Sequence, residues 1–140
     1  MTYLAFDPGE TTGYFIFNDD GSDKDLGQLK GEEELFQFLT TVEKPQLIIM
    51  EVFRLFGHKA LQQSGSNMFT SLVEGMVKLW ARQHSIPVVE QPASILPIAQ
   101  LWSGVSLKGD HSKSHYKSAF NHGVYYLQSN GIRKSRVPLA

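Results

Sequence analysis

The sequence holds 140 residues, 41% of them apolar and 19% charged, with a formal net charge of −1 and no cysteine. That length suits one domain able to bury roughly two thirds of its unfolded surface, and the lack of cysteine excludes disulfide frameworks and Cys-type zinc sites. The near-neutral total conceals a split: residues 1–52 carry eleven acids against three lysines, and residues 53–140 carry ten bases against three acids, which fits either a polyanionic partner for the later half or solvated surface charge.

In chain order, Thr2–Asp7 is an apolar strand stopped by the turn signal Asp7-Pro8-Gly9. A second apolar run, Tyr14–Phe17, leads through Asp19–Gly21 to a poorer strand at Lys24–Leu29, so the first three strands form an antiparallel meander. Glu32–Glu34 then favour the first turn of a helix, and Leu35, Leu39 and Val42 follow at helical spacing until Pro45. Leu47–Met50 is a fully apolar strand ending in Glu51. The Gly/Ser/Gln-rich stretch Gly57–Asn67 reads as a loop before a helix carrying Phe69, Leu72, Val73, Met76, Val77 and Trp80. Ile86–Val89 is a further strand ending in Glu90, Pro92 and Pro97 bracket a short helix, and a last helix spans Ser112 to about Gln128, with Gly131 placed as its C-cap. This last helix is expected to bury Tyr116, Phe120, Gly123, Val124 and Leu127. The order βββαβαβα gives an α/β fold: a five-stranded mixed sheet, meander first and parallel crossovers after, with helices on both faces. Residues 1–140 read as one domain with a frayed tail at 131–140, and with no signal-like or membrane-spanning run the expected location is cytoplasmic.

Three carboxylates, Asp7, Glu51 and Glu90, stand at the ends of apolar strands, the sheet edge where α/β folds place ligands. Strand one and the strand ending in Glu51 are neighbours in this topology. Their two acids would repel unless a divalent cation were shared between them, whereas a single strand-end Asp is more often a turn former.

At this point the residues resemble a family. Leu4-Ala5-Phe6-Asp7-Pro8-Gly9-Glu10-Thr11-Thr12-Gly13 looks like the first motif of the RuvC-like Holliday junction resolvases, within the ribonuclease H-like superfamily. Leu47-Ile48-Ile49-Met50-Glu51-Val52-Phe53 looks like the second, and Ser118-Ala119-Phe120-Asn121-His122-Gly123-Val124-Tyr125-Tyr126-Leu127 resembles the final helix of short bacteriophage members. The resemblance implies a ribonuclease H-like fold and a structure-selective endodeoxyribonuclease that resolves four-way junctions by two-metal phosphodiester hydrolysis with Mg²⁺ or Mn²⁺. Asp7 would bridge the metals and Glu51 would bind one of them.

The last helix departs from that pattern. His115 fits the family's earlier polar position, but Ser118 stands where an acid is expected, and a hydroxyl is a far weaker ligand for Mg²⁺. The implied site is therefore Asp7, Glu51, His115 and Ser118, with Asp7, Glu51 and Ser118 toward the metal. A junction-binding protein with impaired or no catalysis is the alternative, and a ribonuclease H acting on RNA–DNA hybrids is a second. A sugar-kinase-like ATPase would need two such domains. A wheel at about 100° per residue puts His111, His115, Ser118 and His122 on one stripe, opposite the apolar face. Zinc on His111 and His115 is conceivable, His115 suits a phosphate contact or proton shuttle, and His122 reads as a structural histidine. Asp110 is either a replacement ligand or a helix N-terminal acid. Phe53, Arg54 and Lys59 beside Glu51, with Lys108, Lys113 and Lys117 across the cleft, form the candidate DNA-binding set, while Phe53 and Leu55 packing under their loop is the structural alternative. The broad apolar surface of the Leu72–Trp80 helix, with the dimeric habit the resemblance implies, makes it the candidate homodimer interface.

Overall fold

The computed structural model describes residues 1–52, 60–108 and 114–133, with backbone alone at 60–67 and 114. Its sheet has five strands in the order β3-β2-β1-β4-β5: β1 Thr2–Asp7, β2 Thr11–Asn18, β3 Asp23–Lys30, β4 Leu47–Val52 and β5 Val88–Pro92. The meander is present, with β2 antiparallel to both β1 and β3, while β4 runs parallel to β1 and to β5. The mixed α/β sheet expected from the sequence is thus the observed one.

Strand parity decides what each face carries, because successive side chains point to opposite sides. Leu4, Phe6, Ile48, Met50 and Val52 enter one core with Leu35 and Leu39 of helix α1 (Gly31–Thr41) and Val73, Val77 and Ala81 of helix α2 (Ala60–Gln83). Tyr3, Ala5, Leu47 and Ile49 enter the other, with Phe15 and Phe17 of β2 and Ala119 and Leu127 of helix α4 (Ser114–Ser129). Helices therefore cover both faces. No helix among the described residues is long and apolar enough to cross a membrane.

The helices correct several expectations. Residues 60–67, read as part of a loop, belong to α2: Gln and Ser are tolerated in helices and one internal glycine costs only about 1 kcal/mol, which a 24-residue helix absorbs. Helix α1 stops at Thr41, and Val42 is its extended C-cap, its N–H bonded to the Phe38 carbonyl. The strand expected at Ile86–Val89 is shifted to Val88–Pro92, Pro92 being tolerated because β5 is an edge strand. Between the two prolines the chain makes a 3₁₀ turn at Ala93–Ile95. It then runs on past Pro97 as helix α3 (Leu96–Ser103), which ends on left-handed Gly104. Gly131 is left-handed just past α4, as its C-cap role requires.

Helix α4 sits unusually close to the sheet because two glycines make room for it. A Cβ on Gly13 of β2 would lie 1.9 Å from the carbonyl oxygen of His115, and one on Gly123 would lie 2.8 Å from the Phe17 ring. Its outer side is tied to α3 by Ser103 Oγ donating to Asn121 Oδ1 at 2.6 Å, while Asn121 Nδ2 donates to the Val105 carbonyl at 3.1 Å. Trp102 stacks on Tyr125 at 5.6 Å between centroids.

Candidate active site

The parallel register pairs Phe6 with Met50, so one step further along both central strands stand Asp7 and Glu51. By parity they share the face of Ala5 and Ile49, the face that α4 covers. The turn after Asp7 is closed by the Thr12 hydroxyl donating to the Gly9 carbonyl at 3.3 Å. The register sets the two carboxyl groups side by side, close enough for each to shift the other. On the next strand Gln91 is the register partner of Glu51 and belongs to the same face.

Helix α4 supplies the other half of the site from positions i, i+3 and i+7. His115 Nδ1 lies 3.7 Å from Asp7 Oδ2, with its side chain 39% exposed at the mouth. Ser118 Oγ donates to Glu51 Oε2 at 3.4 Å. His122, fully buried, places Nε2 3.6 Å from the same Glu51 oxygen and Nδ1 2.7 Å from Gln91 Oε1. The polar stripe therefore does not lie opposite the apolar face as the wheel suggested. Residues Asn121 to Val124 are buried in succession, because α4 is enclosed by the sheet on one side and α3 on the other.

Electrostatics follow from that enclosure. Burial away from water pushes Asp7 up to about 8, Glu51 beside it adds to the effect, and His115 opposes it. For Glu51, burial works against the charge but is outweighed by His122, by the hydrogen bond to Asp7 and by Ser118, so its carboxyl is held down at about 2. His115 is raised, chiefly by Asp7. The two carboxyl groups are thus pushed in opposite directions, Asp7 up and Glu51 down, as adjacent like charges require.

Glu90 is not part of this constellation. It lies inside β5 rather than at its end, with the opposite parity from Gln91, and it makes an ion pair with Lys78 of α2 at 2.5 Å. At this site the sequence reading missed Gln91 and took His122, placed on the polar stripe, for a structural histidine. Gln91 follows Val89 by two, which puts it on the α4 face, and His122 follows His115 by seven, which keeps it on the same helix stripe. Lys108 is exposed, and Lys117 lines a groove on the other flank of α4 with Asp23, Tyr116 and Phe120. Phe53, Arg54, Lys59, Asp110, His111 and Lys113 lie outside the described residues.

Among the described residues no three His, Asp or Glu side chains are already gathered as a cage for an ion. The donors do fit a divalent cation: two adjacent carboxyl groups whose charges repel, and a buried imidazole nitrogen, His122 Nε2, with no hydrogen-bond partner.

No protein-family model matches the chain, and no curated protein matches it. Among solved structures, RuvC of T. thermophilus in complex with a Holliday junction substrate superimposes with a TM-score of 0.70 at 15% sequence identity, covering 94% of this chain and 96% of that one. The fold is therefore the RuvC-type, ribonuclease H-like arrangement.

Proposed function

We propose that this chain is a divalent-metal-dependent endonuclease that cuts branched DNA, with four-way junctions as its preferred substrate. The observation that carries the reading is Asp7 and Glu51 held side by side at the ends of adjacent parallel strands, beneath the histidines of α4. Support comes from the likeness to the RuvC–junction structure and from the first-motif turn Asp7-Pro8-Gly9-Glu10-Thr11-Thr12-Gly13.

Asp7 and Glu51 would hold Mg²⁺ or Mn²⁺, and the bound ion would supply an activated water and charge stabilisation at the leaving oxygen. Asp7, whose proton is held by burial beside Glu51, would have to give that proton up to serve as a ligand. Ser118 orients Glu51 through its hydroxyl. His115, at the solvent side of Asp7, can contact a phosphate or carry a proton to solvent. The basic later half of the chain, Lys108, Lys113 and Lys117 included, is the proposed track for phosphates, and Phe53 with Arg54 and Lys59 the proposed contact with opened bases.

A second copy of the chain fits the substrate's two-fold symmetry. Met68, Leu72 and Leu79 leave a large apolar stripe exposed on α2, at spacings of four and seven residues. Sedimentation of the wild type and of a Leu72→Glu, Leu79→Glu double variant tests this: the wild type should be dimeric and the variant monomeric.

The deciding experiment is cleavage of labelled four-way junction, linear duplex and RNA–DNA hybrid, each with Mg²⁺, Mn²⁺ and EDTA. Junction cutting that needs the ion supports the reading; hybrid cutting alone would assign a ribonuclease H. Ser118 favours one further reading, because a hydroxyl stands beside Glu51 where the resemblance implies a third carboxylate. Tight junction binding with no cutting under either ion would make the chain a junction-binding protein.

A further inference from the structure

We infer that His122 is a direct ligand of the divalent ion through Nε2, so that a nitrogen donor replaces the carboxylate that position 118 lacks. This rests on the metal-centre reading above and goes beyond it in naming the third donor.

The buried ring of His122 has its two nitrogens in different situations. Nδ1 lies 2.7 Å from Gln91 Oε1, and an amide oxygen can only accept, so Nδ1 carries a hydrogen and Nε2 is the nitrogen left to bind an ion when the ring is neutral. Nε2 is buried without a hydrogen-bond partner and lies 3.6 Å from Glu51 Oε2. A carboxylate oxygen and a ring nitrogen thus lie side by side in a water-poor place, an arrangement that a shared cation would favour. Donor atoms about 2.1 Å from a common six-coordinate ion are about 3.0 Å apart at right angles and about 4.2 Å apart when opposite, so 3.6 Å lies within reach of shared coordination. Metal-binding histidines characteristically donate their second N–H to a fixed oxygen, which sets tautomer and ring orientation, and Gln91 occupies that place here. Ser118, one turn earlier on α4, then serves as a hydrogen-bond donor to Glu51 and not as a ligand.

The chemistry of the donor set has a consequence. An imidazole nitrogen favours first-row transition ions over Mg²⁺, which prefers oxygen alone. The site should therefore discriminate for Mn²⁺ more strongly than a three-carboxylate site would.

The test is pulsed EPR of Mn²⁺ bound to the untagged protein, read for nitrogen hyperfine coupling, alongside Mn²⁺ and Mg²⁺ affinities by calorimetry. Wild type and His115→Asn should both show a directly bound nitrogen. His122→Asn should lose it and bind Mn²⁺ at least about tenfold more weakly. Because His122 is fully buried and its variant can misfold, a second protein lacking His58, His84, His111 and His115 leaves His122 as its only histidine, and the coupling should persist there. Coupling lost with His115 and kept without His122 overturns the inference. So does Mn²⁺ binding with no nitrogen in any form, in which case His122 only positions Glu51. A wild type that binds no Mn²⁺ at all overturns the metal-centre reading as well, and the affinities separate that outcome from the others.

Discussion

Replacing Asp7 with Asn should stabilise the metal-free protein while abolishing its response to metal. Asp7 is raised from 3.8 to about 8, first by burial and then by Glu51. The sign follows from linkage: between those values the unfolded chain gives up a proton that the folded chain retains, so folding stability falls as pH rises across the interval. At about 1.4 kcal/mol per pH unit the full interval would be worth up to about 6 kcal/mol. Relaxation of the coupled pair and the opposing pull of His115 reduce this, and about 2–3 kcal/mol is the expected cost at pH 8. With an unfolding entropy near 0.3 kcal/mol per degree for a chain of this size, Asp7→Asn should melt about 7–10 °C above the wild type at pH 8 in EDTA. The difference should shrink toward zero near pH 4. Saturating Mn²⁺ should reverse the order, because binding to the folded state adds about 4 kcal/mol at a thousandfold excess over Kd and only the wild type retains both acids. The assay is thermal unfolding followed by circular dichroism from pH 4 to 8, with EDTA or Mn²⁺. An Asn variant no more stable than the wild type at pH 8 without metal, or equally favoured at every pH, would refute the reasoning.

Ser118→Asp should bring a third carboxylate onto Glu51, lowering the metal-free melting temperature but raising Mg²⁺ affinity and single-turnover cutting by at least about tenfold, or about 1.4 kcal/mol in the barrier. A Ser form that already cuts at the Asp form's rate would remove position 118 from the catalytic argument. Gly13→Ala puts a methyl group where the His115 carbonyl lies, so α4 must shift outward: expected are a loss of about 1–3 kcal/mol in denaturant unfolding and weakened Mn²⁺ binding, whereas unchanged binding would mean that the site tolerates a displaced helix. Lys113→Ala with Lys117→Ala should lower the salt slope of junction binding by up to about 0.9 per lost phosphate contact, and an unaltered slope would put both lysines off the DNA path.

How much of this was legible beforehand depended on period and parity. The apolar runs at Thr2–Asp7 and Leu47–Met50 located the central strands, and their neighbouring placement brought Asp7 and Glu51 together, because burial on both faces leaves such strands little ambiguity. Glu90 was misjudged because the end of β5 was set two residues early. A strand end assigned that way says nothing of parity, and parity sends Glu90 to Lys78 and Gln91 to the site. The wheel grouped His115, Ser118 and His122 correctly, yet could not show that α4 is covered on two sides, which depends on α3, a helix marked in the sequence only by Pro97 in its first turn. The start of α2 was hidden by Gln, Ser and Gly, residues whose weak local preferences are overruled when a long helix is anchored by Val73 and Val77.

Helix α4 carries the site's imidazoles and also roofs Tyr3, Phe15, Phe17 and Ile49. A lid can lift at small free energy because little is buried beneath it, but lifting this helix would wet half the core. Backbone amides around Ser118 and His122 should accordingly exchange with deuterium only through global unfolding, at the slowest rates in the molecule. An ion of the kind proposed, like a proton, would then come and go along the solvent-facing flank beside His115, over a floor that stays closed for as long as the protein is folded.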